Sequence, residues 1–404
     1  MDAPIFAERK SKKPILAIAL VIILIISIGG AVFALSKEDD KTSSTTTTIK
    51  QTTTTQAVKT GVPTLDTEVL IEGLENVWDL GFLPNDTLLF TERPGRLSAL
   101  VDGEKKLIET LPNIFAEGEG GLMGLAIDVN FKDNSNIYIC YNAKTGGKID
   151  IRVSRVTLND DLTISGSTDI ITGIPSKDSG RHSGCRVRMD KEGNLWVTTG
   201  DAAATKNAQD HKGLGGKVLR VDRDGKGVEG DLSEDFDNRI FNYGHRNLQG
   251  IVLFDKPKDG VYGFTTEHGA DRDDEINLLK SGNFGWQPGP DYDESPAMTD
   301  LKKFPDVVPA IWSSGEPTIA FSGATLLTGN QWGDYKGRLA VAVLKDEELN
   351  IYNIDGTYKV LGVESVLKDF GRLRSAVQGP DGNLYLTTDN SGNDKIIKVV
   401  PSLP

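Results

Sequence analysis

The chain has 404 residues, of which 38% are hydrophobic and two are cysteine, so it is too apolar for a disordered protein and too poor in cysteine for a disulfide-stapled one. Its 58 aspartates and glutamates outnumber its 45 lysines and arginines, which gives a formal net charge of −13. This charge repels phosphate backbones and anionic lipid headgroups. It therefore argues against nucleic acid as a partner and favours small neutral molecules or cations.

The first predicted element is a membrane-spanning helix over residues 14–35. This run, PILAIALVIILIISIGGAVFAL, has 22 residues without a charge, enough at about 1.5 Å per residue to cross a hydrocarbon core of about 30 Å. Four basic residues precede it: Arg9, Lys10, Lys12 and Lys13. Because basic residues favour the cytoplasmic side, residues 1–13 are predicted to be cytoplasmic and the rest of the chain extracellular.

A cleaved signal peptide is the alternative interpretation of the same run. Val32 and Ala34 provide small residues of the kind that precede a cleavage site. However, the apolar part of a signal peptide is usually only about 7 to 15 residues long, so the length favours an uncleaved anchor in the cell membrane. Both interpretations predict that the chain is exported.

Residues 36–60 are predicted to form a linker. Between residues 41 and 59 the sequence KTSSTTTTIKQTTTTQAVK has too little apolar surface to offset the entropy of ordering it. Threonine-rich stretches outside the cell can carry O-linked sugars, so a glycosylated stalk and a bare flexible tether both fit this segment.

Residues 61–404 contain a repeated hairpin, in which a turn of Asp, Asn, Gly or Pro joins two short apolar strands. Six instances can be read: residues 79–93, 125–141, 187–201, 251–269, 326–344 and 377–390. Their starts are roughly 46 to 75 residues apart, a period typical of β-propeller blades with loop insertions. The pattern predicts an all-β, six-bladed β-propeller. A parallel β-helix is the structural alternative, but its repeats would be shorter and more regular.

His182 is the strongest candidate for a catalytic base. No two of the four histidines have the spacing of a helical zinc site, and Cys140 and Cys185 are too far apart for a C-x-x-C clamp, so zinc or iron is disfavoured. His182 lies in a Gly/Ser-rich turn before a strand, and Asp201 ends the following strand pair. A carboxylate on one ring nitrogen would fix the tautomer and leave the other nitrogen free to remove a hydroxyl proton.

Two charged groups suggest ligand binding. The segment EHGADRDDEINLL (267–279) concentrates carboxylates in a loop, as calcium sites do, although a solvated acidic loop is the simpler alternative. Four cations lie near predicted strand ends: Arg246, Lys345, Arg372 and Arg374. Gathered at a propeller axis they would bind a ligand with carboxylates, whereas scattered surface salt bridges are the alternative. Cys185 is interpreted as a packing residue.

These segments together resemble the family of soluble glucose, sorbosone and aldose sugar dehydrogenases that depend on pyrroloquinoline quinone (PQQ). The resemblance runs from about residue 77 to the C-terminus. It rests on eight motifs in the family's order: TERPGRL (91–97), GEGGLMGLAID (118–128), HSGCRV (182–187), TTGD (198–201), YGHRNLQG (243–250), EHGADRDDEINL (267–278), NFGW (283–286) and RLRSAVQGPDGNLYLTTDN (372–390). It implies a six-bladed propeller, PQQ and calcium as cofactors, an aldose sugar as substrate and an external electron acceptor.

The resemblance also implies roles for individual residues. His182 takes the place of the general base and Asp201 that of its orienting partner. The resemblance implies that Arg246 and Asn247 contact the quinone carbonyls and that Lys345, Arg372 and Arg374 contact the PQQ carboxylates. It implies that the backbone carbonyls of Gly269 and Ala270 bind the calcium that touches PQQ. It also implies a second, structural calcium bound by Glu275 and the carbonyl of Phe284. Two positions depart from the family pattern: Glu119 stands where some members have a Gln that donates to PQQ, and Ala270 replaces a frequent Pro.

The mechanism implied by the resemblance is oxidation of the sugar at C1. His182 would remove the proton of the anomeric hydroxyl as hydride leaves C1 for the C5 carbon of PQQ, while calcium and Arg246 stabilise the oxygen that becomes anionic. The products would be a lactone and reduced PQQ.

Two other functions compete with this interpretation. One is a calcium-dependent lactonase or esterase, because other six-bladed propellers hydrolyse lactones with an axial metal, and such an enzyme would need no cluster of arginine and lysine. The other is a non-catalytic carbohydrate-binding propeller on a stalk, in which replacing His182 would leave sugar affinity unchanged.

Overall fold

The computed structural model describes residues 60–228 and 230–404. Within these ranges no helix has the length and hydropathy needed to cross a membrane. The predicted cytoplasmic segment, the membrane-spanning run at 14–35 and nearly all of the linker lie outside the described residues. They therefore stay predictions.

The described residues form 25 strands in six sheets, which are the blades of a β-propeller. Blade 1 consists of β2 (Val77–Phe82), β3 (Leu88–Glu92), β4 (Arg96–Val101) and β5 (Glu104–Thr110). Blade 2 consists of β6 (Leu122–Ile127), β7 (Asn136–Thr145), β8 (Lys148–Leu158) and β9 (Ile164–Ile174). Blade 3 consists of β10 (Val187–Met189), β11 (Leu195–Thr198), β12 (Lys217–Val221), β13 (Ile240–Tyr243) and β17 (Gly282–Asn283).

The remaining three blades complete the ring. Blade 4 consists of β14 (Leu248–Lys258), β15 (Val261–Glu267), β16 (Glu275–Leu278) and β18 (Trp312–Ser313). Blade 5 consists of β19 (Phe321–Leu326), β20 (Leu339–Val343), β21 (Glu348–Ile354) and β22 (Val360–Val366). Blade 6 consists of β23 (Leu373–Gln378), β24 (Leu384–Thr388), β25 (Asp394–Ser402) and β1 (Thr64–Leu74). The helices in this part of the chain are short: α1 (Phe131–Asn134) and three 3₁₀ turns at Asn207–Gln209, Pro290–Tyr292 and Asn330–Tyr335.

The ring closes through β1, which joins the last blade rather than the first. It pairs antiparallel with β25, with Thr64 opposite Ser402. Each of the six innermost strands contacts the next around the ring, and β23 contacts β2. The prediction of an all-β, six-bladed propeller is therefore confirmed, and a parallel β-helix is excluded.

The six predicted hairpins are the first two strands of the six blades. The largest boundary error is in blade 5, where the hairpin expected to begin at residue 326 begins with β19, at Phe321. Its sequence, FSGATL, mixes small and polar residues and hides the strand. The closing strand β1 was not predicted, since it is largely exposed and pairs with the far end of the chain.

The apolar pattern of each strand follows its place in the blade. The inner strands β11 (LWVT) and β20 (LAVAV) are continuous apolar runs and are buried throughout, because neighbouring blades cover both of their faces. The edge strands β5 (EKKLIET) and β22 (VLGVESV) keep many exposed positions. The hydrophobic core consequently lies between the blades around the axis.

A buried ion pair links four of the blades. Arg186 and Asp79 are both fully buried and 2.7 Å apart, and the Arg186 guanidinium lies 4.1 Å from the ring centroid of Trp78. Arg186 also donates to the Gln249 carbonyl at 3.0 Å and to Ser375 Oγ at 2.6 Å. This single side chain therefore ties together blades 1, 3, 4 and 6.

The two cysteines form a disulfide, which corrects the interpretation of Cys185 as a packing residue. Cys140 lies in β7 of blade 2, and Cys185 lies in the turn that leads into blade 3. Both are fully buried. Because the two residues are 45 positions apart and on different blades, no spacing motif in the sequence could indicate the pairing.

Candidate active site

The candidate residues gather on one face of the ring, at the point where the innermost strands begin. Glu119 precedes β6, His182 precedes β10, and Asn247 directly precedes β14. Arg374 is the second residue of β23. Because each blade starts with its innermost strand, these positions surround the axis although they are far apart in sequence.

His182 and Asp201 form a buried pair. Nδ1 of His182 lies 2.8 Å from Oδ1 of Asp201. Only 2% of the His182 side chain and none of the Asp201 side chain is exposed. Because an ionised carboxylate can only accept, Nδ1 carries the proton and Nε2 is the basic nitrogen. The tight packing of this region is visible at Gly200, where a Cβ atom would lie 2.0 Å from the His182 carbonyl oxygen.

The backbone of His182 is held in an unusual conformation. Its φ is +55°, a region that costs a non-glycine residue free energy unless the surroundings enforce it. Its amide donates to Oε1 of Glu119 at 3.1 Å. Its Nε2 accepts from Nε of the preceding Arg181 at 3.2 Å, so the basic nitrogen faces a polar side chain rather than the core.

Glu119, which precedes blade 2, accepts hydrogen bonds from three donors at the starts of blades 3 and 4. Besides the His182 amide, its carboxylate accepts from Nδ2 of Asn247 at 2.7 Å and from Nε2 of Gln249 at 2.9 Å. Burial would raise the pKa of Glu119, but the imidazoles of His182 and His268 and these hydrogen bonds outweigh it and lower the pKa below its usual range. Glu119 is therefore an ionised acceptor whose two oxygens bind three protein donors. A glutamine at this position would have only one acceptor oxygen for them.

A group of cations continues from Gln249. Its Oε1 accepts from Nη1 of Arg374 at 2.5 Å, and Arg374 also pairs with Asp389 through Nε at 3.0 Å. Burial raises the pKa of Asp389, but the charge of Arg374 outweighs it and lowers the pKa to about 2. Arg372 donates to the carbonyls of Asp389 at 3.1 Å and Leu344 at 3.4 Å.

Lys345 follows Leu344 and is exposed. The Arg372 contact with the Leu344 carbonyl places this lysine beside the arginines. The structure therefore brings the side chains of Arg374 and Arg372 and the backbone of Lys345 to one edge of the site. Arg374 is 4% exposed, which is not the position of a surface salt bridge.

Arg246 is connected to His182 through Glu294 and Arg181. Nε of Arg246 lies 2.8 Å from Oε1 of Glu294, whose other oxygen pairs with Arg181. Nη1 of Arg246 donates to the His268 carbonyl at 2.8 Å, and its backbone carbonyl accepts from the Asp201 amide at 2.8 Å. Arg246 therefore connects the His182–Asp201 pair to the acidic segment that follows β15.

The acidic segment does not form one cluster of carboxylates. Asp274 is buried and accepts from the Gly269 amide at 3.0 Å, from Thr318 at 2.6 Å and from other donors at the start of blade 5. Gly269 cannot carry a side chain, because a Cβ atom would lie 2.0 Å from the Arg272 carbonyl oxygen. Among the described residues, no group of three or more His, Cys, Asp and Glu side chains has the arrangement of a metal site.

Two carboxylates of this segment do meet in the core. Glu267 and Glu275 are register partners in β15 and β16, with 1% and 4% exposure. Burial and then the charge of Glu267 raise the pKa of Glu275 to about 8. Asn277 donates to Glu275 at 3.2 Å, but its Oδ1 is buried and has no hydrogen-bond partner. Asn277 turns its amide nitrogen towards both carboxylates, so Oδ1 would join them as an oxygen ligand for a hard cation only after the amide flips.

His245 connects the Phe284 ring to the Glu267–Glu275 pair. Its ring stacks on His245 with centroids 4.5 Å apart, and Nδ1 of His245 lies 2.7 Å from Oε2 of Glu267. His245 is fully buried, and its two ring nitrogens hydrogen-bond to Glu267 and Asn242. His211 stacks on Phe236 at 3.9 Å, so both histidines are packing residues.

Sequence reasoning missed four residues of the site: Gln249, Trp286, Tyr292 and Glu294. Two of them contact Asp201, at 2.8 Å from Nε1 of Trp286 and 2.7 Å from the Tyr292 hydroxyl. Trp286 belongs to the NFGW motif and Gln249 to YGHRNLQG, so the family pattern carried a signal for these two. Tyr292 and Glu294 lie in an irregular segment between β17 and β18 that shows no strand pattern.

Comparison with known proteins places this geometry in a family. The model for glucose/sorbosone dehydrogenases matches residues 74–398. The chain is 29% identical to the aldose sugar dehydrogenase YliI of Escherichia coli over 358 residues, with 84% of this chain and 93% of that protein covered. It is 25% identical over 428 residues to quinoprotein glucose dehydrogenase B of Acinetobacter calcoaceticus, with coverage of 84% and 88%. The structure of PQQ-bound aldose sugar dehydrogenase from Streptomyces coelicolor superposes with a TM-score of 0.69, at 25% identity, over 84% of this chain and all of that one.

Proposed function

The chain belongs to the glucose/sorbosone dehydrogenase family, and on that premise we propose that it is a PQQ-dependent aldose sugar dehydrogenase that oxidises the anomeric C1 hydroxyl of a sugar to a lactone. The observation that carries the proposal is the buried His182–Asp201 pair, which is connected through Glu119 and Gln249 to the guanidinium of Arg374. A proton acceptor and a cationic binding edge thus share one axial site.

The donor set fits PQQ. Arg374, Arg372 and Lys345 supply positive charge for a cofactor with several carboxylates, and Arg246 and Asn247 lie nearer His182, where they would face its carbonyls. When bound, PQQ supplies the two-electron acceptor for hydride from the sugar. Glu119 is occupied by three protein donors, so we assign it to holding Asn247 and the His182 backbone rather than to PQQ.

The chain's own contribution is to hold and move a proton. Asp201 keeps Nδ1 of His182 protonated, so Nε2 accepts the proton of the C1 hydroxyl as hydride departs from the same carbon. Arg181 donates to Nε2 in this structure, and the sugar hydroxyl has to replace that contact. Arg246, which is 4% exposed, stabilises the oxygen as it becomes anionic.

Calcium is the second proposed cofactor, at two places. The backbone carbonyls of Gly269 and Ala270 would hold the ion beside PQQ, where it polarises an oxygen. Glu275, with the carbonyl of Phe284, would bind a structural ion. The unpaired Oδ1 of Asn277 and the raised pKa of Glu275 support this second site, since a cation would relieve the like charges and would satisfy the amide oxygen after the Asn277 amide flips.

We also propose that the propeller acts outside the cytoplasm. A buried Cys140–Cys185 disulfide suits an oxidising compartment, and the uncharged run at 14–35 supplies an anchor or an export signal. In that location the reduced cofactor would pass its electrons to an external acceptor.

Reconstitution of purified protein tests the proposal against the hydrolytic and binding alternatives. A set of aldoses is assayed for reduction of an electron-accepting dye after PQQ and Ca²⁺ are added. We expect at least one aldose to reduce the dye, and this reduction to require both PQQ and Ca²⁺. Lactone hydrolysis without PQQ would instead identify a lactonase. Sugar binding with neither activity would identify a non-catalytic propeller.

A further inference from the structure

We propose that Tyr292 is a positioning residue for the His182–Asp201 pair, which makes the proton acceptor a three-residue unit with one member from the irregular segment between β17 and β18. This inference rests on the proposed function where it concerns catalysis. Its structural core, the control of the His182 imidazole by the Tyr292 hydroxyl, can be tested without the cofactor.

Asp201 is saturated with hydrogen bonds, and Tyr292 supplies one of them. Oδ1 of Asp201 lies 2.8 Å from Nδ1 of His182 and accepts from the Ala203 amide at 2.8 Å. Its Oδ2 accepts from Nε1 of Trp286 at 2.8 Å and from the Tyr292 hydroxyl at 2.7 Å. Without the hydroxyl, Oδ2 would keep a single donor, so the orientation of the carboxylate about Cβ–Cγ would be held less firmly.

The same hydroxyl also lies 2.9 Å from Nδ1 of His182, so the Tyr292 oxygen touches both members of the pair. The phenol stays protonated and able to donate, because burial, and then the charge of Asp201, raise the pKa of Tyr292. The hydroxyl therefore partly neutralises the Asp201 carboxylate. A less neutralised carboxylate would stabilise the protonated imidazole more strongly.

Several other charged groups face His182 and have to stay constant in a test. Glu119 accepts from its amide, and Arg181 donates to its Nε2. Arg181 also lies 5.6 Å from the Tyr292 ring centroid, and the Lys177 amine lies 6.0 Å from it. Glu294 pairs with Arg181. A Tyr292→Phe substitution leaves the aromatic contacts of both cations in place and removes only the hydroxyl.

Backbone geometry shows that the segment is shaped to deliver this contact. Tyr292 ends the short 3₁₀ turn that begins at Pro290, and its φ is +62°. His182 and the two residues that follow Asp201, Ala202 and Ala203, also have positive φ, a conformation that non-glycine residues rarely adopt. Such outliers persist where the surroundings over-determine them, often at functional sites.

The first experiment follows the imidazole of His182 by ¹⁵N NMR in the protein without PQQ. The chain has only four histidines, and comparison with a His182→Gln variant assigns the signal. In the neutral imidazole of the wild type we expect the proton on Nδ1. In Tyr292→Phe we expect the imidazole pKa to rise by about half a pH unit or more, because Asp201 has lost a donor.

The matched control is Tyr385→Phe. Its hydroxyl also donates to a carboxylate, that of Asp381 at 2.9 Å, in the turn between β23 and β24. This substitution makes the same chemical change without touching the pair, so it should leave the His182 titration unchanged. In an Asp201→Asn background, Tyr292→Phe should have no further effect on the His182 titration.

The second experiment is kinetic and uses the protein reconstituted with PQQ and Ca²⁺. We expect Tyr292→Phe to lower kcat by about 5- to 50-fold with KM within about twofold, and to move the acidic limb of the kcat/KM profile to higher pH. A wild-type imidazole titration in Tyr292→Phe, or a loss of thermal stability with an unmoved pH profile, would overturn the positioning role. If the NMR shift appears but no sugar reduces the dye in the wild type, the proposed reaction fails and the positioning of His182 stands.

Discussion

Gln249 lies between Glu119 and Arg374 and hydrogen-bonds to both: Nε2 donates to the carboxylate at 2.9 Å, and Oε1 accepts from the guanidinium at 2.5 Å. Through this one amide, the acceptor that fixes the His182 backbone is joined to the cations that would hold a carboxylated cofactor. The base and the binding edge are therefore held at a fixed separation by residues at the starts of blades 2, 3, 4 and 6.

Replacing Glu119 tests this connection. Glu119→Ala leaves the donors of His182, Asn247 and Gln249 without their acceptor, so we expect the free energy of unfolding to fall by about 1–3 kcal/mol. Chemical denaturation measures the change. Glu117→Ala, at an exposed position two residues earlier, should stay within about 0.5 kcal/mol of the wild type. Equal values for the two variants would show that the Glu119 contacts contribute nothing to stability.

The disulfide predicts a large loss of stability on its removal. It closes a loop of 45 residues between blades 2 and 3, for which chain entropy gives about 4 kcal/mol. The double variant Cys140→Ala/Cys185→Ala should therefore unfold at clearly lower denaturant concentration than the wild type under non-reducing conditions. If the wild type has two titratable thiols after unfolding without reductant, the disulfide is absent and the prediction fails.

Asp389 gives the stability a defined pH dependence. Its pKa of about 2 in the folded protein is below the value of 3.8 for an unperturbed side chain, so the pair with Arg374 contributes fully above pH 3.8 and loses its contribution as the pH falls through 2. The difference corresponds to about 2 kcal/mol. We expect Asp389→Asn to be destabilised relative to the wild type at pH 6 and much less so near pH 2.5. A constant difference across this range, or the same pattern in Asp86→Asn at an exposed position, would contradict the assignment.

Calcium should stabilise the protein before PQQ is added. An ion bound by Glu275 and the Phe284 carbonyl would raise the unfolding free energy by about 2.7 kcal/mol at one hundred times its dissociation constant. We expect Ca²⁺ to raise the thermal midpoint of the wild type and Glu275→Gln to lose most of that rise. Glu104→Gln, at an exposed position of β5, should keep it. An undiminished rise in Glu275→Gln would remove this residue from the calcium site.

The fold was largely predictable because the information is local. Each hairpin, such as 79–93 in blade 1, contains its own turn and both of its strands, so alternation and turn residues were sufficient. β1 was missed because its partner β25 lies at the other end of the chain, and an exposed edge strand has no apolar pattern of its own.

The site was predictable only where residues lie in motifs. His182 and Asp201 are 19 positions apart in one blade, and the structure places them in contact. Tyr292 is 91 positions from Asp201, and Gln249 is 130 from Glu119, so the contacts that organise the pair depend on ring closure. Likewise, charge alone suggested a single calcium loop at 267–275, whereas the fold separates Asp274 from the Glu267–Glu275 pair.

The most direct test of the account compares PQQ binding with turnover in His182→Ala. If His182 takes the proton of the sugar hydroxyl and the cations hold the cofactor, the variant should bind PQQ with an affinity close to that of the wild type, measured by calorimetry in the presence of Ca²⁺. Its sugar-dependent dye reduction should fall by about 100-fold or more. Turnover within a few-fold of the wild type, at equal occupancy with PQQ, would contradict the assignment of His182 as the base.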